Sequence, residues 1–138
     1  MNHLQLEKEI IEALGRHRYG SLATIEGDKP KARYMAIFHD GLQVYLATNR
    51  KTHKVEELQD NPHAFLLFGH EGTGPDEIVE LQGTVQITKD ETLRHKLWND
   101  ELKPWFEGPD DPDYVILNIT PSRIEYTGQD QKRKVWEA

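Results

Sequence analysis

The stretch that decides the fold is RYMAIFHDGLQVYLATNRKTHKVEELQDNPHAFLLF, residues Arg33–Phe68. Its first half is rich in aromatic and β-branched residues and predicts two strands, over Ala32–Phe38 and Leu42–Ala47. The His39–Gly41 segment lies between them, and its Asp-Gly pair readily adopts the positive φ angles of a tight turn. This half therefore predicts a β-hairpin.

The second half of the stretch predicts a short helix followed by an apolar strand. The helix runs from Thr52 to about Gln59, with Val55 and Leu58 at helical spacing. The Asn61-Pro62 pair ends it, because the residue before a proline is disfavoured in the α conformation. Ala64–Phe68 is the apolar strand.

On the N-terminal side, the segment from Leu4 to about His17 predicts an amphipathic helix. Its apolar residues recur at helical spacing on one face: Leu6, Ile10, Ala13 and Leu14. The residues YGSLATIEG that follow alternate with the period of a strand, and a turn at Gly27–Pro30 leads from this strand into the hairpin.

On the C-terminal side, strands alternate with one further helix. The predicted elements are a Gly-rich loop at Glu71–Pro75, a strand over Ile78–Ile87 broken by Gly83, a helix over Asp90–Leu102 ended by Pro104, and a strand over Tyr114–Ile119 that Arg123–Tyr126 could continue. The last ten residues are polar and are expected to be loose.

About six strands with short turns and three helices predict a mainly β (α+β) fold, an antiparallel barrel with peripheral helices. A doubly wound sheet would need a helix after nearly every strand, and this chain has hairpins instead. Because 138 residues are too few for two separate cores, we expect a single domain over residues 1–138.

The composition excludes several classes of protein. The chain has no cysteine, so disulfides, thiolate nucleophiles and cysteine-type zinc sites are excluded. A formal net charge of −7 argues against a nucleic-acid partner, which needs a broad basic face. The N-terminus has neither a signal-peptide pattern nor a membrane span. We therefore expect a cytoplasmic protein that does not bind membranes.

Positive charge is nevertheless concentrated in one segment. Residues 29–54 contain one acid, Asp40, and six bases, a local net charge of +5. The six bases are Lys29, Lys31, Arg33, Arg50, Lys51 and Lys54. So compact a patch in an acidic protein suits a small, doubly charged group better than a polyanion.

The donors around this patch are the types that bind phosphate. Thr48 and Thr52 supply hydroxyls, His53 and Lys54 supply a ring donor and an ammonium, and a helix that begins near Thr52 directs its first N–H groups to the same place. Arg33, one strand earlier, could add a two-pronged contact. The alternative is that Arg50, Lys51 and Lys54 form only the solvated face of a short helix.

The order of these features resembles the core of the pyridoxamine 5′-phosphate oxidase superfamily, the flavin mononucleotide (FMN)-binding split barrels. There an Arg-led strand, a hairpin, a strand that ends in Thr-Asn, a helix that starts with Ser/Thr-Arg/His-Lys and an Asn-Pro stop recur in the order seen in Arg33–Phe68. The segment LWNDELKPWFEGPDDPDYVILNI, Leu97–Ile119, resembles the general stress protein 26 branch of that superfamily.

The resemblance implies a six-stranded antiparallel split β-barrel with peripheral helices that binds FMN as a homodimer, with the flavin site at the subunit interface. Arg33 and Lys54 would hold the phosphate, assisted by Thr52 and His53. The residues that would run along or beside the ring are Tyr34, Met35, Ala36, Ala47 and Thr48. A small-molecule substrate or a nicotinamide donor would react with the flavin, and no side chain is named as catalytic.

Departures from the family pattern bear on the reaction. Phe38 stands where vitamin B6 oxidases carry a basic residue, Ile78 stands where they carry a glutamine, and their basic C-terminal tail is missing. These departures argue against oxidation of vitamin B6 phosphates.

Two hypotheses for the function remain: a flavin-dependent oxidoreductase with another small substrate, and a non-catalytic protein that stores or senses the flavin. A third keeps the barrel and exchanges FMN for a deazaflavin or haem.

Other polar and aromatic groups leave alternatives open. Trp98, Trp105 and Phe106 flank Pro104 and could pack on the barrel or on a partner, or cover a flavin or substrate. The seven histidines match no metal motif, so no metal site is predicted. The acidic group at Asp110–Asp113 is expected to shape a turn through side-chain to backbone hydrogen bonds.

Overall fold

The computed structural model describes residues 2–69 and 76–138. The Gly-rich loop predicted at Glu71–Pro75 lies outside the described residues. The helices are α1 (His3–Arg16), α2 (His53–Asp60) and α3 (Glu91–Leu97), with a 3₁₀ helix at Asp100–Leu102. The strands are β1 (Tyr19–Glu26), β2 (Lys29–Ala36), β3 (Phe38–Asp40), β4 (Gln43–Asn49), β5 (His63–Gly69), β6 (Ile78–Thr88), β7 (Tyr114–Thr127) and β8 (Arg133–Glu137).

The eight strands form one antiparallel sheet in the order β2-β1-β5-β6-β7-β4-β3, with β8 also paired to β7. The strands at the two ends of this order, β2 and β3, are consecutive in the chain and are separated only by Ile37. The Ile37 N–H donates to the Arg18 carbonyl at 2.8 Å, and its side chain is buried. Because β2 and β3 meet at this residue, the sheet curls into a barrel. The barrel is open between β2 and β3, which do not pair.

The predicted fold class is confirmed, although the described residues form eight strands instead of six. One additional strand arises at the predicted segment Ala32–Phe38, which divides at Ile37 into the end of β2 and the start of β3. The other is β8.

The prediction of a loose C-terminus is wrong, because β8 pairs with the second half of β7. Trp136 is 7% exposed, its Nε1 donates to the Glu7 carboxylate at 3.4 Å, and its ring stacks on His3. One large aromatic residue therefore anchors an otherwise polar segment. The proposed continuation at Arg123–Tyr126 is confirmed, since β7 runs unbroken from Tyr114 to Thr127.

The main core fills the inside of the curled sheet and is closed by α1. The four predicted apolar residues of this helix, Leu6, Ile10, Ala13 and Leu14, are all buried there. The helix begins with a capping box, in which the Asn2 side chain accepts from the Gln5 N–H and the Gln5 side chain accepts from the Asn2 N–H. The periodicity therefore identified this face correctly.

A second, smaller core lies on the other face of β4 and β7. Tyr45 and Ala47 alternate with Val44 and Leu46 of the main core, so β4 contributes to both. The second core is built from Leu102, Phe106, Tyr114 and Ile116, with Tyr45, Ala47, Leu93, Leu97 and Trp98 packed against it.

The single helix predicted over Asp90–Leu102 is wrong, because α3 ends at Leu97. Trp98 is extended (φ −62°, ψ 132°), and Asn99 then caps the 3₁₀ helix by accepting from the Glu101 N–H at 2.8 Å. The chain therefore turns here and carries Leu102 and Phe106 back onto the sheet beside β4.

A buried polar network joins α1 to the ends of β6 and β7. Glu77 is 3% exposed and accepts two hydrogen bonds at 2.8 Å from the Arg16 guanidinium and one at 2.9 Å from the Tyr126 hydroxyl. His17 Nε2 lies 2.9 Å from the same carboxylate. The Arg16 hydrogen bond, followed by those from Tyr126 and His17, lowers the pKa of Glu77 to about 2.

Among the described residues, no helix has the length and apolar character needed to cross a membrane.

Candidate functional site

A cleft of about 870 Å³ opens between β2, β4, the start of α2 and the segment that follows the 3₁₀ helix. Eight of the nine residues predicted to hold a cofactor line it: Arg33, Tyr34, Met35, Ala36, Ala47, Thr48, Thr52 and Lys54. The ninth, His53, does not line it; its side chain is 85% exposed and lies 3.9 Å from Glu56. The curl of the sheet brings β2 and β4 together here, although they do not pair.

Arg33 is held at one end of the cleft by a polar network. Its Nη1 donates to Thr24 Oγ1 at 2.7 Å, and its Nη2 donates to Glu57 Oε2 at 3.1 Å. Thr24 Oγ1 in turn donates to Glu57 Oε2 at 3.3 Å, which closes a ring of three side chains. The Arg33 guanidinium is therefore fixed in place by a carboxylate that is only 6% exposed.

Glu57 is a site residue that sequence reasoning missed. It lies three positions after Lys54 on α2, so the two side chains share one face of the helix. This spacing could have identified it. Its Oε1 atom is buried and has no hydrogen-bond partner among the described residues.

Lys54 is half-buried beside this network and forms no ion pair or hydrogen bond within the described part of the chain. Burial lowers the pKa of Lys54, and the positive charge of Arg33 lowers it further. The Glu57 carboxylate pairs with Arg33, and its charge opposes these two effects on the Lys54 pKa without cancelling them. An anion bound there would relieve the repulsion and raise the Lys54 pKa.

The start of α2 adds unpaired backbone donors to the same end. Its N-cap residue, Thr52, makes no side-chain capping bond, because its hydroxyl donates to the Asn49 carbonyl at 2.9 Å instead. In each of the other helical segments that the structure describes, the side chain of the N-cap residue accepts a hydrogen bond from an N–H of the first turn. These N-cap residues are Asn2, Asp90 and Asn99. The Val55 N–H donates to the Thr52 carbonyl at 3.1 Å. The N–H groups of His53 and Lys54, the first two of α2, have no hydrogen-bond partner among the described residues and could bind an anion.

The rest of the basic segment lies elsewhere. Arg50 Nε donates to Asp113 at 2.8 Å, and the Lys51 ammonium lies 3.6 Å from the same carboxylate. Lys31 faces Glu26 at 3.8 Å. The solvated-face interpretation therefore describes Arg50 and Lys51, whereas Arg33 and Lys54 line the cleft.

The other end of the cleft is apolar and aromatic. β2 and β4 contribute Met35, Ala36 and Ala47, and the segment after α3 contributes Leu102, Trp105 and Phe106. Of the aromatic residues that could pack or cover a ligand, Trp98 packs on Tyr114 at 5.7 Å between ring centroids, and Phe106 is buried. Trp105 lines the cleft and is 75% exposed.

Several other lining residues were not identified from the sequence, namely Tyr19, Asn49, Glu101 and Leu102. Tyr19 pairs with Ala36 across the β1–β2 hairpin, so the register of the Gly27 turn could have predicted it. The residues at 101–102 depend on the turn after α3, which no local signal indicates.

The acidic turn behaves as expected, because the Asp111 carboxylate accepts from the Glu107 and Asp113 N–H groups at 3.0 and 2.9 Å. Glu91, His95 and Asp110 place three possible ligand atoms within 4.8 Å of one another. All three are exposed, none lines the cleft, and His95 bonds Asp110 directly at 2.8 Å.

Comparison with known proteins agrees with this architecture. The family described as Pyridoxamine 5′-phosphate oxidase matches residues 6–128. General stress protein 26 of Bacillus subtilis (strain 168) is 41% identical over 137 residues, which cover 98% of this chain and 97% of that protein.

Solved structures share the fold. General Stress Protein 26 from Bacillus anthracis superposes with a TM-score of 0.84 at 31% identity, over 99% of this chain and 100% of the other. A pyridoxamine 5′-phosphate oxidase-related, FMN binding protein from Nostoc punctiforme superposes with a TM-score of 0.66 over 98% of this chain and 94% of the other, and its 14% identity shows the fold alone. The chain therefore belongs to the pyridoxamine 5′-phosphate oxidase family and is similar over its whole length to general stress protein 26.

Proposed function

We propose that this protein binds FMN in the cleft between β2 and β4 and acts as a flavin-dependent oxidoreductase on a small molecule. The observation that carries the proposal is the division of one cleft into two chemically different ends. Arg33, Lys54 and the uncapped start of α2 form a cationic end, and aromatic and apolar side chains form the other. A ligand with a phosphate at one end and a planar ring at the other matches both.

The donor set fits the phosphate in detail. Arg33 would hold it from a position fixed by Glu57, Lys54 would add the second charge, and Thr48 and the N–H groups of the first two residues of α2 would add neutral donors. Met35, Ala36 and Ala47 would bound the ring. Bound flavin supplies hydride-transfer chemistry, while the residues of the chain bind it, orient it and exclude water.

Of the two other cofactors considered, haem fits this cleft less well than FMN, and a deazaflavin fits it equally well. Haem in a protein is held by an axial side chain, most often histidine, and none of the described residues that line the cleft is a histidine. A deazaflavin with a phosphate would satisfy the same donors as FMN, and the absorbance spectrum of the isolated protein distinguishes it from FMN.

Titration of the protein with FMN and with riboflavin tests the proposal. We expect FMN to bind at least on the order of a hundredfold more tightly, because riboflavin lacks the group that Arg33 and Lys54 would hold. Equal affinity for the two flavins would contradict the assignment of the cationic end.

A turnover assay distinguishes the enzyme from a flavin carrier. Oxidation of NADH or NADPH beyond the rate of free flavin supports the enzyme, whereas tight binding without turnover supports a flavin carrier.

We also propose that the protein is a homodimer whose second copy covers the open side of the cleft. Tyr34 is 86% exposed at the mouth of the cleft, which is unusual for a large aromatic residue in a protein without a partner. Light scattering at micromolar concentration is expected to give twice the mass of the 16.0 kDa chain. A monomer with full FMN affinity would rule this arrangement out.

A further inference from the structure

Exposed aromatic side chains are concentrated at the cleft. Among the described residues, the exposed large hydrophobic side chains include three aromatic ones: Tyr19 at 53%, Tyr34 at 86% and Trp105 at 75%. All three line the same cleft. Aromatic rings that remain in water give up the stabilisation of burial, so their convergence on one cavity indicates a surface that a bound ligand or the second copy covers.

Trp105 in particular is exposed on a rigid support. Its N–H and that of Phe106 both donate to the Leu102 carbonyl, at 3.0 and 3.1 Å. Leu102 and Phe106 are buried in the second core, at 8% and 7% exposure. The backbone of Trp105 is therefore fixed between two buried anchors. The indole lines the cleft from this fixed segment.

The segment that carries Trp105 is also tied to β1, the strand that carries Tyr19. Glu101 forms an ion pair with Arg18, at the start of β1. The Arg18 guanidinium lies 5.9 Å from the centroid of the Tyr19 ring. Tyr19 and Trp105 thus belong to one connected frame around the apolar end.

The other two tryptophans have structural partners. Trp98 packs on Tyr114 in the second core, and Trp136 is buried with its Nε1 bonded to Glu7. Trp105 is distinguished from them by its exposure and by its place in the cleft.

We propose that Trp105 is the stacking platform for a planar aromatic ring bound at the apolar end of the cleft. This deepens the proposed function and rests on it, because FMN held by its phosphate at Arg33 and Lys54 would place its ring among the residues that line the cleft together with Trp105. The ring is either the flavin itself or an aromatic second ligand beside it. Both present the same flat, apolar face to the indole.

The test compares Trp105→Leu and Trp105→Phe with Trp98→Phe as the matched control. FMN, riboflavin and nicotinamide are the probes, with nicotinamide added to the flavin-loaded protein. If the flavin stacks on Trp105, Trp105→Leu weakens FMN and riboflavin binding equally, by about tenfold, and the emission of bound flavin rises because its quencher is lost. Trp105→Phe keeps most of the affinity, and Trp98→Phe changes neither quantity.

If the second ligand stacks there instead, flavin affinity is unchanged in Trp105→Leu while nicotinamide binding weakens by about tenfold. Unchanged binding of all three probes together with unchanged flavin emission in Trp105→Leu overturns the inference, as does loss of the dimer with unaltered ring binding. The proposed function fails on a different result, namely that the unaltered protein does not bind FMN. A protein that binds neither flavin nor nicotinamide would refute both.

Discussion

Neutralising Arg33 and Lys54 together is expected to weaken FMN binding by a factor on the order of 10² to 10⁴. Each would make a charge-assisted hydrogen bond to the phosphate, and such bonds contribute about 1.5–3 kcal/mol apiece. Riboflavin affinity should change little, since riboflavin has no phosphate. The ratio of the two dissociation constants, measured by fluorescence titration, isolates the effect on the phosphate.

The buried Glu57 determines how this experiment must be designed. Replacing Arg33 alone would leave a 6% exposed carboxylate without its cation, which costs several kcal/mol and endangers the fold. We therefore place Arg33→Gln and Lys54→Gln in a Glu57→Gln background and use Glu57→Gln alone as the reference. Thermal unfolding then checks that both proteins are folded.

Lys51→Gln is the matched control for charge. Lys51 belongs to the same basic segment, but it faces Asp113 and does not line the cleft. We expect its FMN affinity to stay within a factor of two or so of the unaltered value, because exposed charges outside a site contribute little. An equal loss in Lys51→Gln would mean that general electrostatics, and not a built site, attracts the phosphate.

The second large effect concerns stability and is independent of any ligand. Glu77→Ala is expected to lower the free energy of unfolding by about 3–5 kcal/mol, because it leaves the guanidinium of Arg16 and the hydroxyl of Tyr126 without their shared acceptor. The melting temperature should fall by roughly 10 °C or more. Glu26→Ala, which removes an exposed ion pair with Lys31, should change it by only a degree or two.

The same carboxylate predicts how stability depends on pH. The hydrogen bond from Arg16 is the main reason that the pKa of Glu77 falls from 4.5 to about 2 in the folded protein. A depressed carboxyl pKa stabilises the fold above pH 4.5 and loses that contribution, about 3 kcal/mol, as the pH falls towards 2. Urea unfolding at a series of pH values should show a steeper decline for the unaltered protein than for Glu77→Gln. Parallel curves would contradict the assignment.

Much of the fold could be predicted because its signals are local. The buried face of α1 follows from the spacing of Leu6 to Leu14, and the β3–β4 turn follows from Gly41, whose φ is 57°. The C-terminal strand was missed because its stability comes from one residue, Trp136, whose partners His3 and Glu7 lie at the opposite end of the chain. Local polarity carries no information about such a contact.

The sequence by itself determined most of the strands and helices in their order, the family and eight of the residues that line the cleft, since each of these depends on residue types at short, fixed spacings. Only the tertiary structure decided which cations face the cleft. Arg50 and Lys51 turn to Asp113, more than 60 positions away, while Arg33 is fixed by Glu57 and Thr24. The physical reason is that a charged side chain pairs with the opposite charge that lies nearest to it in space. The curl of the sheet sets the distances between such charges.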